Sequence, residues 1–284
     1  SGGVDSCVVT LLGHRALGGR LKTYMIENGL MRQGEPEQVV ELFASLGVKV
    51  QLVDARDEFF QALEGITDPE AKREAITQTF YKRVFARLVR ESGAKHLLQG
   101  TILTDIDETV ARIKRQHNVF EQLGIDPQEA FGYRIVEPVV RLRKDGVRLV
   151  ARALSLPRSI YARPPFPGPA LAARVIGAVT REKIELVRQA TAITEEVLAS
   201  VDAFQNMTIL HEDRVTGIRD GRREFGLQLE VRCWDSVDAR TAEPTPLPWP
   251  TLRTLAQRLL DGVPGVVSVT YHIAPKPLST MEVV

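Results

Sequence analysis

Apolar residues in the amino-terminal part of the chain follow two alternating rhythms. Val8, Val9, Leu11, Leu12 and Ala16 recur at helical spacing, so the hexapeptide SGGVDS (1–6) feeds a helix expected to start after Asp5. LKTYMIE (21–27) reads as a buried strand, EPEQVVELFASLG (35–47) as an amphipathic helix closed by Gly47, and VKVQLVD (48–54) as another strand. PEAKREAITQTFYKRVFARLVRES (69–92) predicts one long helix with Pro69 in its first turn, and KHLLQG (95–100) a strand ending in a glycine. This alternation predicts an α/β fold whose parallel sheet is covered by helices on both faces.

The rhythm is lost from Thr101 to Phe131, where charged residues crowd a stretch too long for a plain connection. A mobile lid or a disordered loop is expected there. YRIVEPVV (133–140) and the helix KDGVRLVARALSL (144–156) follow. Five prolines in the fifteen residues of PRSIYARPPFPGPAL (157–171) then argue against regular structure and mark a crossing into a second domain. The boundary is placed near Arg163, dividing the chain into 1–162 and 163–284. Beyond it, 180–200 predicts a helix opened by Thr180, and 207–217 with 224–234 a hairpin around Arg219-Asp220-Gly221-Arg222. A helix (250–262) and a last strand (266–273) complete a smaller α+β domain.

Composition narrows the function classes. With 284 residues, 44% of them hydrophobic and 26% charged, and a net charge of +1, the chain is an ordinary globular protein. No general affinity for nucleic acid or a membrane surface is expected, so any anion site is local. Cys7 and Cys233 stand too far apart for a disulfide framework or a paired zinc site, which suggests a reducing, cytoplasmic compartment. No apolar run approaches the ~20 residues of a bilayer span, and no leader opens the chain.

The candidate chemistry lies in the opening loop. Gly2 and Gly3 lack Cβ atoms where a backbone must curl round a ligand, and the following helix aims its free N–H groups into the curl, with the Ser1 and Ser6 hydroxyls beside them. Such a loop can cradle phosphates, or it can be a plain glycine turn capped by Asp5. A carboxylate beside phosphates needs a divalent cation between them, so Asp5 either assists magnesium or caps the helix. Neither GxxxxGK[ST] nor GxGxxG is present.

SGGVDS resembles the signature of the PP-loop ATP pyrophosphatases, which split ATP between its α and β phosphates. NGLMRQGE (28–35), DPEAKRE (68–74), QGTILTDIDE (99–108), IKRQHN (113–118), VEPVVRLRKDGVR (136–148), RPPFPGPALAARVIGAVT (163–180) and YHIAPKPLSTME (271–282) are similar, in the same order, to segments of the synthetase part of the GMP synthetase family. The resemblance implies an adenine-nucleotide α-hydrolase-like PP-loop domain followed by a dimerisation domain. ATP would adenylate O2 of xanthosine monophosphate, and ammonia would replace AMP to give GMP. The ammonia would come from a separate glutaminase subunit or from solution. The resemblance also implies that a strand precedes the loop, so Ser1 is not expected to be the natural amino terminus.

On this resemblance, Ser1, Gly2, Gly3, Val4, Asp5 and Ser6 bind ATP, with Gly100, Thr101 and Glu27 lining the adenosine, and Asp5 is the magnesium ligand. Lys114, beside His117 in the lid-like segment, meets phosphate charge. Lys144, Asp145 and Arg163, with Lys276, Thr280 and Glu282 in the tail, bind the purine nucleotide. Any one of the lysines can equally be a solvated surface charge. Asp105 and Glu108, read as lying in an irregular loop, either orient metal or substrate or cap a short helix. His211 is read as a surface or strand residue. A homodimer is implied, although the hairpin and last strand are equally explained by a sheet within one chain.

The chain departs from the family mainly at the acceptor end. Ser268 stands where the family has arginine, His272 where it has aspartate, Pro164 where it has histidine, and Val283-Val284 where it has Trp-Glu. An alternative therefore stands beside the first reading: a relative that adenylates another acceptor, or a nucleotide-binding regulatory protein.

Overall fold

The glycine loop opens directly into α1, Val4–Leu17, in a computed structural model that describes residues 2–110, 133–162, 166–219, 221–237 and 241–283. There follow β1 (Thr23–Glu27), α2 (Glu35–Ser45), β2 (Val50–Asp54), α3 (Arg56–Leu63), α4 (Pro69–Gln78), α5 (Ala86–Ser92), β3 (His96–Leu98), α6 (Leu103–Val110) and β4 (Arg134–Val136). The chain divides into two units.

The first unit comprises Ser1–Glu27, Gly34–Ala55 and Thr77–Arg163. β1 pairs in parallel with β2, from Thr23 opposite Val50 to Glu27 opposite Asp54, and β3 pairs in parallel with β4. The α/β class is as expected, but among the described residues the strands form two separate parallel pairs rather than one sheet. β4 is short because Pro138 soon follows it and has no N–H for a ladder. α1 packs on β3 and on the helix Lys144–Ala153, burying Cys7, Val8, Val9 and Leu11. Gly13 permits that approach: a Cβ there would lie 2.3 Å from Leu98 Cδ1.

Three expectations need correction. The helix after the loop starts at Val4, so Asp5 lies inside its first turn rather than before it. The predicted single helix 69–92 is interrupted by a π-helical stretch, Thr79–Phe85. The wider turn accommodates a cluster in which Phe80, Tyr81 and Phe85 pack with Tyr133, the Phe85 and Tyr133 rings meeting edge to face at 6.2 Å. The stretch after Thr101 is not irregular throughout, because α6 occupies its beginning.

The second unit comprises Asn28–Gln33, Arg56–Ile76 and Pro164–Val284. Its frame is the antiparallel hairpin of β5 (Gln205–Arg219) and β6 (Arg222–Asp235), turned at Gly221 with φ 73°, as the sequence predicts. β7 (Glu243–Pro244) pairs antiparallel with β6, and β8 (Val266–Tyr271) parallel with it. The helix Arg181–Val197 packs on β5 and on the helix Trp249–Gly262, and the Thr180 hydroxyl caps it by accepting from Lys183 N. Within this unit, Leu171 N donates to Leu30 O at 2.8 Å, Arg188 Nη2 to Gly29 O at 2.6 Å, and the fully buried Lys72 Nζ to Val175 O at 2.8 Å. These bonds tie its two early segments to its later ones. The proline-rich stretch is not wholly irregular: Arg158–Tyr161 forms a helical turn capped by Pro157, and Ala170–Arg174 a 3-10 turn capped by Pro169. Proline suits these starts because a helix leaves its first N–H groups without internal partners. No helix among the described residues is long and apolar enough to cross a membrane.

Candidate functional site

Gly2 has φ +70°, a left-handed conformation that disfavours other residues, and a Cβ there would stand 3.0 Å from Val39 Cγ2 and 3.7 Å from Glu35 Oε1. Gly3 is the N-cap of α1, with no side chain capping the helix. Val4, Asp5 and Ser6 form its first turn, whose main-chain N–H groups have no acceptor within the helix. Ser6 Oγ donates to Gly3 O at 2.9 Å, so its proton points back along the helix rather than to a ligand. Capping by Asp5, one of the two alternatives left open, is thus not made.

The Asp5 carboxylate is held on one side. Lys144 Nζ lies 2.6 Å from Oδ2, while Oδ1 is buried without a hydrogen-bond partner. Lys144 begins the helix Lys144–Ala153, the wrong end for a cation in a helix dipole. Its contact with Asp5 offsets that position and sets a positive charge beside the opening of α1. Asp145, in the same first turn, is exposed.

Strand β3 delivers Gly100 to the same place. A Cβ on Gly100 would meet Asp5 C and Ser6 N at 3.1 Å, so the missing side chain lets two stretches of backbone touch. Thr101 is buried and its Oγ1 accepts from Gln99 Nε2 at 3.2 Å. Leu103 N donates to Leu142 O at 2.9 Å, which joins the start of α6 to the turn before Lys144. Asp105 belongs to the first turn of α6, not to an irregular loop, and its Oδ2 accepts from Ile102 N at 2.9 Å, a capping contact. Glu108 lies in α6, its side chain outside the described residues; Ser1, Lys114, His117 and Arg163 also lie outside them.

Glu27 ends β1 opposite Asp54, at the carboxyl ends of parallel strands, where α/β proteins bind ligands. Asn28 Oδ1 accepts from Leu30 N at 2.9 Å. Glu35, 6% exposed and near Gly2, was not singled out in the sequence. An acid in a first helical turn is too common to signal a site.

The tail candidates lie in the second unit. Lys276 pairs its backbone with Ala242, Thr280 Oγ1 donates to Glu282 O at 2.5 Å, and Glu282 Oε1 accepts from Gln205 Nε2 at 3.0 Å. Glu282 Oε2 is buried without a hydrogen-bond partner. His211 is not a bystander: its Nε2 lies 2.9 Å from Glu230 Oε2. Burial opposes ionisation of Glu230, yet hydrogen bonds from His211 and Arg232 and their charges bring its pKa down to about 2. Burial, aided by the Arg232 charge, lowers that of His272. Ser268 Oγ donates to Gln228 Oε1 at 3.3 Å.

The arrangement thus gathers Gly2, Gly3, Asp5, Ser6, Gly100 and Lys144 in the first unit, and Lys276, Thr280 and Glu282 in the second. Among the described residues no three His, Cys, Asp or Glu side chains form a metal cage.

Residues 191–283 match the model of the GMP synthase C terminal domain. One subunit of the glutamine-hydrolyzing GMP synthase of Archaeoglobus fulgidus is 45% identical over 282 residues, covering 99% of this chain and 90% of its own. The corresponding subunit from Methanocella arvoryzae is 46% identical over 283 residues with the same coverage. The glutamine-hydrolyzing GMP synthase of Aeropyrum pernix is 42% identical over 291 residues, 99% of this chain and 56% of its own. Identity at this level along nearly all of the chain leaves one assignment: the chain belongs to the GMP synthase family.

Proposed function

We propose that the chain is the ATP-pyrophosphatase subunit of a GMP synthase. ATP adenylates O2 of xanthosine monophosphate with loss of pyrophosphate, and ammonia then displaces AMP to give GMP. The observation that carries this reading is the half-held Asp5 carboxylate at the opening of α1, with Lys144 on Oδ2 and nothing on the buried Oδ1.

The first-turn N–H groups of α1 donate to the triphosphate, and Ser1, Gly2, Gly3, Val4 and Ser6 complete the ATP-binding loop. Gly100, Thr101 and Glu27 serve the adenosine side. Lys144, and Lys114 from the lid-like segment, supply positive charge as pyrophosphate departs, so catalysis is mainly positioning and charge stabilisation. The free Asp5 Oδ1 fits magnesium, which characteristically takes one or two carboxylates together with substrate phosphates and water rather than a protein cage. When bound, magnesium neutralises phosphate charge. Asp105 acts by fixing the start of α6 beside Gly100, with Glu108 farther along that helix. Asp145, Arg163, Lys276, Thr280 and Glu282 bind xanthosine monophosphate.

We further assign 1–162 to a PP-loop domain and 163–284 to a dimerisation domain forming a homodimer in the cytoplasm. The Archaeoglobus and Methanocella relatives are each named as one subunit of a glutamine-hydrolyzing enzyme, which supports a separate glutaminase subunit as the ammonia donor. Purified protein given ATP, magnesium, ammonium and xanthosine monophosphate should release pyrophosphate and GMP in equal amounts. Pyrophosphate without GMP would point to another acceptor, the alternative that Ser268 favours because its hydroxyl is turned to Gln228 where the family carries an arginine.

A further inference from the structure

The tail holding Lys276, Thr280 and Glu282 is gripped from β6 by side chains that the reaction as described does not use. Glu230 and Arg232 are two apart on that strand, so both point from the same face of the sheet. Arg232 is 7% exposed; its Nε donates to Glu230 Oε1 at 2.6 Å, and its Nη1 to Thr280 O at 2.6 Å and Met281 O at 3.3 Å. One edge of the guanidinium thus holds a carboxylate and another holds two consecutive main-chain carbonyls, which the point charge of a lysine does not reproduce. Glu230 is fixed in turn by His211 at 2.9 Å and by His272 Nδ1 at 3.2 Å, and His272 Nε2 meets Ser279 Oγ at 3.0 Å. Three successive tail residues, Ser279, Thr280 and Met281, are therefore anchored to one network.

Two further observations say what the grip is for. Met281 is buried with Met207, Ile209, Trp234 and Ala242, which already secures the tail by apolar packing. Burying an ion pair merely to fasten a chain is rarely the more stabilising solution. Beyond the grip, Glu282 keeps a buried Oε2 with no donor, an arrangement that favours a polar ligand arriving there. We propose that Glu230 and Arg232 form a clamp that positions the tail for the acceptor nucleotide, which makes them positioning residues of the acceptor site. The inference rests on the assignment of the tail to xanthosine monophosphate.

The test compares wild type with Arg232→Met, which keeps buried bulk, and Arg232→Lys, which keeps the charge. Arg232→Met should raise KM for xanthosine monophosphate at least ten-fold and leave KM for ATP within two-fold, with Arg232→Lys only partly restoring it. In the absence of nucleotide, amide hydrogen exchange at 279–283 should quicken at least ten-fold in Arg232→Met while other segments keep their rates. Should Arg232→Met fail to fold, Glu230→Gln is expected to shift both readouts in the same direction by a smaller factor. An unchanged KM for the acceptor, or equal changes in both KM values, would overturn the proposal. Wild-type protein that makes no GMP overturns the acceptor assignment, whereas unaltered exchange in the tail overturns the clamp itself, so the two failures are told apart.

Discussion

Asp5 is held differently on its two oxygens, and the catalytic task proposed for it can be separated from a structural one by substitution. The Asp5–Lys144 pair is partly open to solvent, with side-chain exposures of 23% and 46%, so losing it costs at most about 1 kcal/mol of stability. If Asp5 holds the cation that would neutralise the departing pyrophosphate, removing that ligand costs about 100-fold or more in rate. Asp5→Asn should therefore cut pyrophosphate release by at least that factor, while a urea melt moves by less than about 1 kcal/mol. Equal losses of activity and stability would leave Asp5 a structural residue. The candidacy of Asp5 was legible in the sequence, as a carboxylate in a loop expected to cradle phosphates. Its partner was not, because residues 5 and 144 are neighbours only in the folded chain.

At the scale of elements, Gly100 decides how close β3 comes to the opening of α1. A Cβ would press on main-chain atoms at 3.1 Å, and backbone cannot swing aside as a side chain can. Gly100→Ala is expected to raise KM for ATP several-fold without unfolding the protein, measured by pyrophosphate release and by melting. Asp105 offers the converse case. If its part is to cap α6 through the Ile102 N–H bond, Asn, whose amide oxygen still accepts, should keep pyrophosphate release within about three-fold, and Asp105→Ala should cost about 1 kcal/mol of stability. A large loss of rate in Asp105→Asn would return the carboxylate to direct chemistry. The sequence left α6 open only as a short helix that Asp105 or Glu108 would cap, because eight residues carry too little periodicity to separate a helix from a loop. The π-helical stretch was hidden for a different reason: 69–92 has sound helical periodicity, and the interruption answers to Tyr133, far along the chain.

For the whole molecule, Glu230 links stability to pH. Its folded pKa, about 2, lies below the ordinary 4.5, so folding is favoured by the charged form. That contribution, up to about 3 kcal/mol, is complete above the ordinary value and is lost as pH falls from 4.5 towards 2. Glu230→Gln should flatten this part of the stability curve, read as urea midpoints over that range. Parallel curves for the two proteins would refute the coupling.

The sequence by itself determined most of the order of strands and helices, though not α3 or α6, together with the hairpin turned at Gly221, the glycine loop feeding α1 and the family resemblance, because each of these is written in local periodicity, turn chemistry or contiguous motifs. Tertiary structure alone decided that Lys144 meets Asp5, that Gly100 touches the loop backbone, and that Asn28–Gln33 and Arg56–Ile76 belong with the later unit. It also decided that a histidine read as incidental shares Glu230 with the arginine holding the tail. Contacts of this kind join residues far apart in the chain. Their partners are chosen by burial and charge pairing in three dimensions, which no pattern along one dimension encodes.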